Sequence, residues 1–177
     1  MVQLRCFEAA DIPLLLTYMN NRNVTQYLTD KIPQPYLEKD AQWWVNEGSK
    51  AGFTRAIIYE GQFVGCVGII PETHERCRTA ELGYWLAESF WGKGLATQAV
   101  RQIVDLIFTE TDVMRIYAPV FHPNKSSMRV LEKSGFVQEG VHQQEIYKNG
   151  KFYNAHYFVQ LKSALTPADE VGHKAPR

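Results

Sequence analysis

Three strand-like segments follow one another in the middle of the chain without a helical segment between them. They are the β-branched and aromatic runs TRAIIYE, QFVGCVGII and TAELGYWLA. The first two meet at Glu60-Gly61, which is a tight hairpin signal. Because strands that succeed one another directly along a chain pair antiparallel, this region predicts an antiparallel meander.

The segments on either side of the meander complete a mixed sheet. Before it come a short strand, VQLRCFE, and two helices, the first with Asp11 as its N-cap and the second reading EKDAQWWVNEG. After it come a glycine loop, an amphipathic helix, the strand RIYAPVF and a short helix with Gly135 at C′. Two last strands meet at Asn149-Gly150, a strong hairpin signal. This order predicts an α/β (α+β) fold, with a mixed, mostly antiparallel sheet of about seven strands and helices on both faces.

The composition indicates one domain and argues against several classes of partner. The 177 residues carry nineteen basic and nineteen acidic side chains, so no overall charge attracts nucleic acid or an anionic membrane. No stretch approaches the roughly eighteen apolar residues of a membrane span, and the first residues lack the apolar run of a secretory signal. Three widely spaced cysteines form no CxxC pair. We expect a cytoplasmic domain over residues 1–163 and a polar tail over 164–177, as a monomer or homodimer.

A pair of glycines, Gly92 and Gly94, stands directly before the amphipathic helix. A helix N-terminus presents unpaired N–H groups and a partial positive charge, and the glycines let a ligand approach the backbone closely. These features together form an anion site, usually for phosphate, with Lys93 at its rim. The P-loop pattern GxxxxGK(S/T) is absent, and the dinucleotide pattern GxGxxG ends here in Thr97. Taken alone, the glycine pair is also compatible with an ordinary turn before a helix.

The surroundings of the glycine pair indicate a family. The segments AELGYWLAESFWGKGLATQAV and HPNKSSMRVLEKSGF together resemble the GNAT superfamily of N-acetyltransferases, and most closely the RimJ/RimL branch, which acetylates the N-termini of ribosomal proteins. The superfamily loop pattern, Q/R-x-x-G-x-G/A, falls on residues 91–96, with Trp91 where Gln or Arg is commoner. The resemblance extends over residues 2–162 and implies the GNAT fold.

The resemblance implies that acetyl-CoA is the co-substrate. Its pyrophosphate would lie on the amides of residues 92–97, and its pantetheine arm along the ELGYWL strand, which in this family splays apart from the strand after the long helix. The arm would satisfy the unpaired backbone groups of that gap like an added strand. The cofactor contacts implied in this way are Tyr84, Trp85, Leu86, Trp91, Gly92, Lys93, Gly94, Leu95, Ala96, Thr97 and Asn124.

Two residues are candidates for the chemistry. Glu81 opens the ELGYWL strand, where several GNAT enzymes place a glutamate as the general base; the alternatives are a solvent-facing residue or a partner of Arg78. The resemblance also implies that Ser127 is the acid that protonates the departing thiolate, and that Asn124 contacts the pantetheine arm. Both are also ordinary helix-capping residue types. Many GNAT enzymes carry a tyrosine acid one turn further along this helix, where this chain has Leu131, so more weight falls on Ser127.

The predicted activity is transfer of an acetyl group from acetyl-CoA to a primary amine, with the α-amine of a peptide or protein N-terminus as the favoured acceptor. The alternatives are a small amine such as a polyamine, amino acid or antibiotic, a non-catalytic acyl-CoA-binding module, and a nucleotide-binding oxidoreductase. The five histidines show no metal-ligand spacing, so we predict no metal.

The acceptor pocket is expected between the first two helices and the last hairpin. The segment Asn20–Tyr36 has the character of a binding loop. Tyr27, Tyr36, Trp43 and Trp44 are candidate walls, although aromatic residues at such positions are more often core. In the last hairpin, Asn154 stands where relatives often carry Asp, which weakens recognition of a cationic acceptor.

Overall fold

The chain folds around one seven-stranded sheet in the computed structural model, which describes residues 1–162. The strands are β1 (Val2–Arg5), β2 (Phe53–Tyr59), β3 (Gln62–Pro71), β4 (Thr79–Leu86), β5 (Arg115–Phe121), β6 (Val137–Lys148) and β7 (Lys151–Leu161). They lie in the order β1-β2-β3-β4-β5-β7-β6, and every neighbouring pair is antiparallel except β4 and β5. The predicted mixed sheet and its meander, β2-β3-β4, are confirmed.

Helices cover both faces of the sheet, as expected. They are α1 (Ile12–Met19), α2 (Arg22–Thr25), α3 (Glu38–Asn46), α4 (Leu95–Glu110) and α5 (Lys125–Lys133). The apolar side of α4 and part of α5 form one core with the sheet, in which Ile103, Ile107 and Leu131 are fully buried. The helices α1, α2 and α3 form a second core on the opposite face, around Leu15 and Phe63.

The strand β4 takes part in both cores because its side chains alternate between the two faces. Leu82 and Leu86 lie in the core under α4, and Tyr84 packs against the same core. Trp85 packs against the core under α1 and α3. The even-numbered residues of β4 therefore face α4 and α5, and the odd-numbered residues, which include Glu81, face α1, α2 and α3.

The two central strands separate along their length. β4 and β5 form only three residue pairs, at Thr79/Arg115, Ala80/Ile116 and Glu81/Tyr117. β4 nevertheless continues to pair with β3 as far as Leu86, and β5 with β7 as far as Phe121. The facing edges of β4 and β5 thus diverge into a V-shaped gap, as predicted.

The sequence signals predicted the hairpin turns correctly but not the N-cap of the first helix. Both predicted hairpin turns form, and both residues of Glu60-Gly61 and of Asn149-Gly150 have positive φ. Asp11 directly precedes α1, but its carboxylate does not cap that helix. It accepts hydrogen bonds from the Arg5 guanidinium at 2.7 Å and from the Glu8 N–H at 2.9 Å instead. The Arg5 guanidinium and the Glu8 N–H thus occupy the carboxylate that would otherwise cap α1.

The segment before α3 contains one element that the sequence did not predict. The short helix α2 lies inside Asn20–Tyr36, and the Asn21 side chain caps it by accepting a hydrogen bond from the Asn23 N–H at 2.9 Å. The expected polar tail, 164–177, lies outside the described residues. Within residues 1–162, none of the helices has the length and apolarity needed to span a membrane.

Candidate functional site

The gap between β4 and β5 exposes backbone groups of β4. Just past the end of β4, the Ala87 N–H donates to the Val64 carbonyl at 2.9 Å. Because hydrogen-bonded pairs alternate along an antiparallel ladder, the odd-numbered residues of β4 direct their backbone groups to β3. Tyr84 and Leu86 therefore direct theirs into the gap. Trp85 was expected to offer backbone contacts as well, but its backbone groups face β3.

A groove of about 480 Å³ runs from this gap to the start of α4. The predicted site residues that line it are Tyr84, Trp85, Leu86, Trp91, Gly92, Gly94, Leu95, Ala96, Thr97, Asn124 and Ser127. Lys93 does not line it; its ammonium lies 5.0 Å from the centroid of the Phe90 ring. The structure thus brings nearly all of the predicted cofactor residues to one continuous surface.

The glycine loop leaves backbone amides open at one end of the groove. Gly94 is the N-cap of α4 with φ 74°, and Gly92 has the same φ. The first hydrogen bond into the helix is donated by the Gln98 N–H to the Gly94 carbonyl, so the N–H groups of residues 95–97 have no intrahelical partner. A Cβ atom on Gly94 would meet no atom within 4 Å beyond the adjacent residues, so the space above the loop is open. This geometry suits an anionic group such as a pyrophosphate.

Trp91, the departure from the superfamily loop pattern, has a defined place in the groove. Its indole N–H donates to the Leu86 carbonyl at 2.8 Å, and 45% of the residue is exposed. Leu86 directs this carbonyl into the gap, so Trp91 satisfies one of the open acceptors of β4. The open amides of the glycine loop do not depend on this contact.

Asn124 and Ser127 have separate roles at the start of α5. The Asn124 side-chain oxygen caps the helix by accepting from the Ser127 N–H at 3.2 Å. The Ser127 hydroxyl does not cap the helix but lies 2.7 Å from the Tyr84 hydroxyl. The Tyr84 hydroxyl also donates to the Ser127 carbonyl at 3.0 Å. A phenol from β4 and a hydroxyl from α5 thus meet across the gap, on the side that faces α4.

Burial raises the pKa of Tyr84 well above that of an ordinary tyrosine, while the bond to Ser127 partly offsets this effect. The phenol therefore keeps its proton at neutral pH and acts as a hydrogen-bond donor. Leu131, which stands at the usual position of the tyrosine acid, is fully buried in the core. The two hydroxyls that meet across the gap come from Tyr84 and Ser127 instead.

Glu81 lies at the last residue pair before β4 and β5 separate, on the face opposite to α4. Its carboxylate accepts from the Tyr117 hydroxyl at 3.1 Å, and the same hydroxyl donates to Glu72. Burial raises the pKa of Tyr117, and the two carboxylates raise it further. Glu81 is solvent-exposed, as one alternative proposed, whereas Arg78 is paired with Asp112 at 3.4 Å rather than with Glu81.

The aromatic residues proposed as acceptor walls separate into two groups. Tyr27 lines the groove and packs against Phe121, with ring centroids 5.5 Å apart. Trp44 packs against Phe7 at the edge of the core under α1 and α3, and Trp43 is 56% exposed on α3. Tyr36 is buried in that same core, so Tyr27 is the one of the four that lines the groove.

Asn154 supports the backbone of the last hairpin. Its side-chain oxygen accepts from the Gln144 N–H at 2.9 Å, where β6 departs from regular pairing with β7 and Gln144 has φ 53°. Its carbonyl accepts from the His122 N–H at 2.9 Å. Asn154 thus stabilises a bulge.

Three side-chain groups near the site were not predicted from the sequence. They are the Tyr84 hydroxyl, the Tyr117 hydroxyl and the ammonium of Lys148, which donates to the Thr25 carbonyl at 3.2 Å. The period-two alternation of β4 could have indicated that Tyr84 and Glu81 lie on opposite faces. The partners of Tyr117 and Lys148 lie 36 to 123 residues away along the chain, so no local pattern signals them. No cluster of three or more His, Cys, Asp or Glu suitable for a metal ion occurs among residues 1–162.

The comparisons with known proteins agree with this geometry. The family model described as "Acetyltransferase (GNAT) domain" matches residues 2–137. The probable N-acetyltransferase YjcK of Bacillus subtilis is 34% identical over 149 residues, which cover 84% of this chain and 72% of the relative.

Two solved structures extend the likeness to the whole described fold. Spermidine N-acetyltransferase from Vibrio cholerae in complex with CoA and spermine is 26% identical, with a TM-score of 0.75 over 92% of this chain and 96% of that chain. RimL, a ribosomal L7/L12 alpha-N-protein acetyltransferase in complex with coenzyme A, is 21% identical, with a TM-score of 0.79 over 90% and 93%. Because enzymes of both kinds share the fold, the likeness does not single out the RimJ/RimL branch.

The family match decides between the broad alternatives. A dinucleotide-dependent oxidoreductase and a non-catalytic acyl-CoA-binding module no longer compete, because the relatives are N-acetyltransferases and the matched domain is that of an acetyltransferase. The chain therefore belongs to the GNAT family and is an N-acetyltransferase that uses acetyl-CoA as its acetyl donor.

Proposed function

We propose that this enzyme acetylates a primary amine of low pKa, namely the α-amine of a peptide or protein N-terminus, as in the RimJ/RimL branch. The observation that carries the proposal is the position of Glu81. Its carboxylate marks the point where β4 and β5 separate, and it faces away from the Tyr84–Ser127 hydroxyl pair. The gap thus has one candidate base on one face and one pair of hydroxyl donors on the other.

This small set of acid and base groups suits an amine that loses its proton easily. An α-amine with a pKa near 8 is roughly 10% neutral at pH 7, whereas a lysine amine with a pKa near 10.4 is roughly 0.04% neutral. The difference of about 2.4 pKa units corresponds to roughly 3.3 kcal/mol of additional deprotonation cost for the lysine. A single exposed glutamate is therefore better matched to the α-amine.

The groove supports an assignment of the acetyl-CoA contacts. The open amides at the start of α4, from Gly92 to Thr97, would hold the pyrophosphate, with Lys93 at the rim. The backbone groups that Tyr84 and Leu86 direct into the gap would bond the pantetheine arm. Asn124 uses its side-chain oxygen in the helix cap, which leaves its NH₂ group to donate to the arm.

The side chains at the gap would divide the chemistry between its two faces. Acetyl-CoA supplies a thioester, whose sulfur leaves as a thiolate when the amine nitrogen bonds to the acetyl carbon. Glu81 would accept the proton that the amine loses, directly or through a water molecule. The Ser127 hydroxyl would donate to the thiolate. The Tyr84 phenol would then orient that hydroxyl by turning its one proton from the Ser127 carbonyl to the Ser127 hydroxyl oxygen, 2.7 Å away.

A second cavity offers room for the acceptor beyond its amine. It has a volume of about 340 Å³ and lies on the Glu81 side of the sheet, with Tyr117 in its wall. The Tyr117 and Tyr157 rings stack there at 6.0 Å, and His142 stacks on Tyr157 at 4.1 Å. Because Tyr117 also contacts Glu81, an acceptor whose amine lies at Glu81 can extend into this cavity.

A polyamine acceptor is the second candidate, because the structure brings carboxylates together near Glu81. Glu72 shares the Tyr117 hydroxyl with Glu81, and Glu145 accepts from the Tyr157 hydroxyl at 2.9 Å. The spermidine N-acetyltransferase from Vibrio cholerae has a similar structure and sequence. A neutral overall charge therefore does not decide against a polycationic acceptor.

The first prediction concerns the glycine loop. Gly94→Val adds a β-branched side chain at φ 74° and places it in the open space above the loop, so CoA affinity should fall tenfold or more, about 1.4 kcal/mol. Isothermal titration calorimetry measures this directly. Gly61→Val is a matched control, since Gly61 has φ 78° in a hairpin away from the groove. Equal CoA affinity in the two variants would contradict the assignment.

The second prediction concerns the hydroxyl pair. Ser127→Ala should lower kcat by on the order of 10², and Tyr84→Phe, which removes one donor, by about tenfold. Because the two hydroxyls act as a unit, the kcat of the double variant should lie within about twofold of the kcat of Ser127→Ala. Steady-state kinetics under saturating acetyl-CoA measure this cycle. Strictly multiplicative losses would show that the two residues act independently.

The third prediction concerns the base. Glu81→Gln should lower kcat/KM by on the order of 10² at pH 7, and the loss should shrink as pH rises towards the pKa of the acceptor amine, where the amine is neutral without help. The pH–rate profile is the measurement. Glu72→Gln is the matched control, because Glu72 accepts from the same Tyr117 hydroxyl but lies outside the gap. A wild-type kcat/KM for Glu81→Gln at pH 7 would show that Glu81 is not the general base.

The fourth prediction concerns the acceptor. When a peptide that starts with Ala or Ser competes with spermidine at equal concentration and pH 7, the acetylated peptide should be the main product. Mass spectrometry of the products gives the ratio. Acetylation of spermidine at a rate tenfold or more above that of the peptide would refute the α-amine proposal and leave the N-acetyltransferase activity intact.

A further inference from the structure

Residues 21–30, here named the strap, cross the gap on the side of Glu81. At one end, the Glu88 carboxylate, which follows β4, accepts from the Asn21 and Asn23 side-chain amides at 2.7 and 2.9 Å. In the middle, the Tyr27 ring packs against Phe121, at the end of β5. The strap therefore links the β4 side of the gap to the β5 side.

Lys148, the last residue of β6, fastens the other end of the strap. Its side chain is only 9% exposed, and its ammonium lies 3.1 Å from an Asp30 carboxylate oxygen. The same ammonium donates to the Thr25 carbonyl at 3.2 Å and to the Leu28 carbonyl. All three donors of the lysine are thus directed at the strap.

This attachment matters because the sheet itself does not hold the two sides of the gap together at this point. The pairing of β4 with β5 ends at Glu81/Tyr117. Beyond it, the strap is one of the structures that bridge the two strands. A buried ammonium whose donors are all satisfied fixes the strap in one position. Removing it leaves the Leu28 carbonyl without its protein donor and the Asp30 carboxylate without its counter-charge, while the Thr25 carbonyl keeps only the Leu28 N–H at 3.0 Å.

We propose that Lys148 is a positioning residue for acceptor binding, which it supports by holding the strap against the last hairpin and so fixing the acceptor wall relative to Glu81. The inference rests on the proposed use of Glu81 as the base. The strap residues Asn23, Gln26, Tyr27 and Leu28 line the groove assigned to acetyl-CoA rather than the second cavity. They lie on the face of the sheet that carries Glu81, from which the acceptor amine would reach the thioester. The groups assigned to acetyl-CoA, which are the loop amides, the β4 edge and Asn124, belong to other segments. Loosening the strap therefore affects the acceptor more than acetyl-CoA.

The test compares three variants of the last hairpin. Lys148→Met removes the ammonium with little change in length, Lys148→Arg keeps the charge and the donors, and Lys151→Met removes one charge from the exposed lysine that pairs with Lys148 across the hairpin. In Lys148→Met, the KM for the acceptor should rise about tenfold or more, while kcat and the Kd of CoA change by less than about threefold. Lys151→Met should match the wild type, and Lys148→Arg should restore most of the acceptor KM.

A purely structural role predicts a different result. A lower melting temperature or a smaller active fraction in Lys148→Met, with an unchanged acceptor KM, would overturn the proposal. If Lys148→Met does not fold, Glu88→Ala loosens the opposite, exposed end of the strap and should raise the acceptor KM in the same way. An unchanged acceptor KM in that variant would equally contradict the proposal.

Failure of the inference can be distinguished from failure of the proposed function. The acceptor in these assays is whichever amine the wild-type enzyme acetylates fastest, so a polyamine preference does not affect the test. Amide hydrogen exchange gives a readout that needs no acceptor at all. Exchange over residues 21–30 should accelerate in Lys148→Met and not in Lys151→Met. Equal protection in the two variants would refute the fastening role.

Discussion

The interruption of pairing between β4 and β5 is the constraint on which the site depends. A buried backbone N–H or carbonyl without a partner costs free energy comparable to a lost hydrogen bond, so an open strand edge inside a protein must be satisfied by something. Here the edges of β4 and β5 face each other beyond Glu81/Tyr117 without pairing. An extended ligand with amide groups can occupy such an edge as an additional strand. The pantetheine arm of acetyl-CoA has this chemistry, which explains why the gap and the acetyl donor belong together.

The alternation of side chains along β4 then separates the two halves of the reaction. Even-numbered residues face α4 and α5, so Tyr84 meets the Ser127 hydroxyl beside the anion-binding end of the groove. Odd-numbered residues face the other way, so Glu81 meets Tyr117 on the side of the strap and the second cavity. In the proposed mechanism, one strand thus presents hydroxyl donors to the leaving group and a carboxylate to the amine. A shift of one residue along the strand would exchange the two faces.

What the sequence could predict follows from the distance over which each interaction acts. The turns at Glu60-Gly61 and Asn149-Gly150 depend on the φ values of two adjacent residues, and both were predicted correctly. The succession of strands and longer helices along the chain and the amphipathic character of α4 depend on patterns within single elements, and these were also predicted. The capping role of Asp11 was wrong because the Arg5 guanidinium binds its carboxylate, which a propensity for capping does not include.

The rest of the site depends on pairs that are remote in the sequence. Tyr84 and Ser127 are 43 residues apart, and Lys148 and Thr25 are 123 residues apart. Such pairs follow from strand register and from the crossing of the strap, neither of which has a local signature. The resemblance to a family located the segments of the groove but gave no indication of which side chains meet across it.

Trp91 illustrates how a departure from a family pattern can leave the main function of a loop unchanged. The loop offers open backbone amides that suit an anion. Their positions are set by Gly94, which has φ 74°, and by the start of α4 rather than by the side chain at position 91. Trp91 acts on the neighbouring strand edge instead, because its indole N–H donates to the Leu86 carbonyl at 2.8 Å. One acceptor of the gap is thus satisfied within the protein. The Leu86 N–H and both backbone groups of Tyr84 remain directed into the gap. In the proposed assignment, the contacts of the pantetheine arm are therefore concentrated near the Tyr84–Ser127 pair. In this assignment, Trp91 would change where the arm is held and would leave the phosphate site as it is.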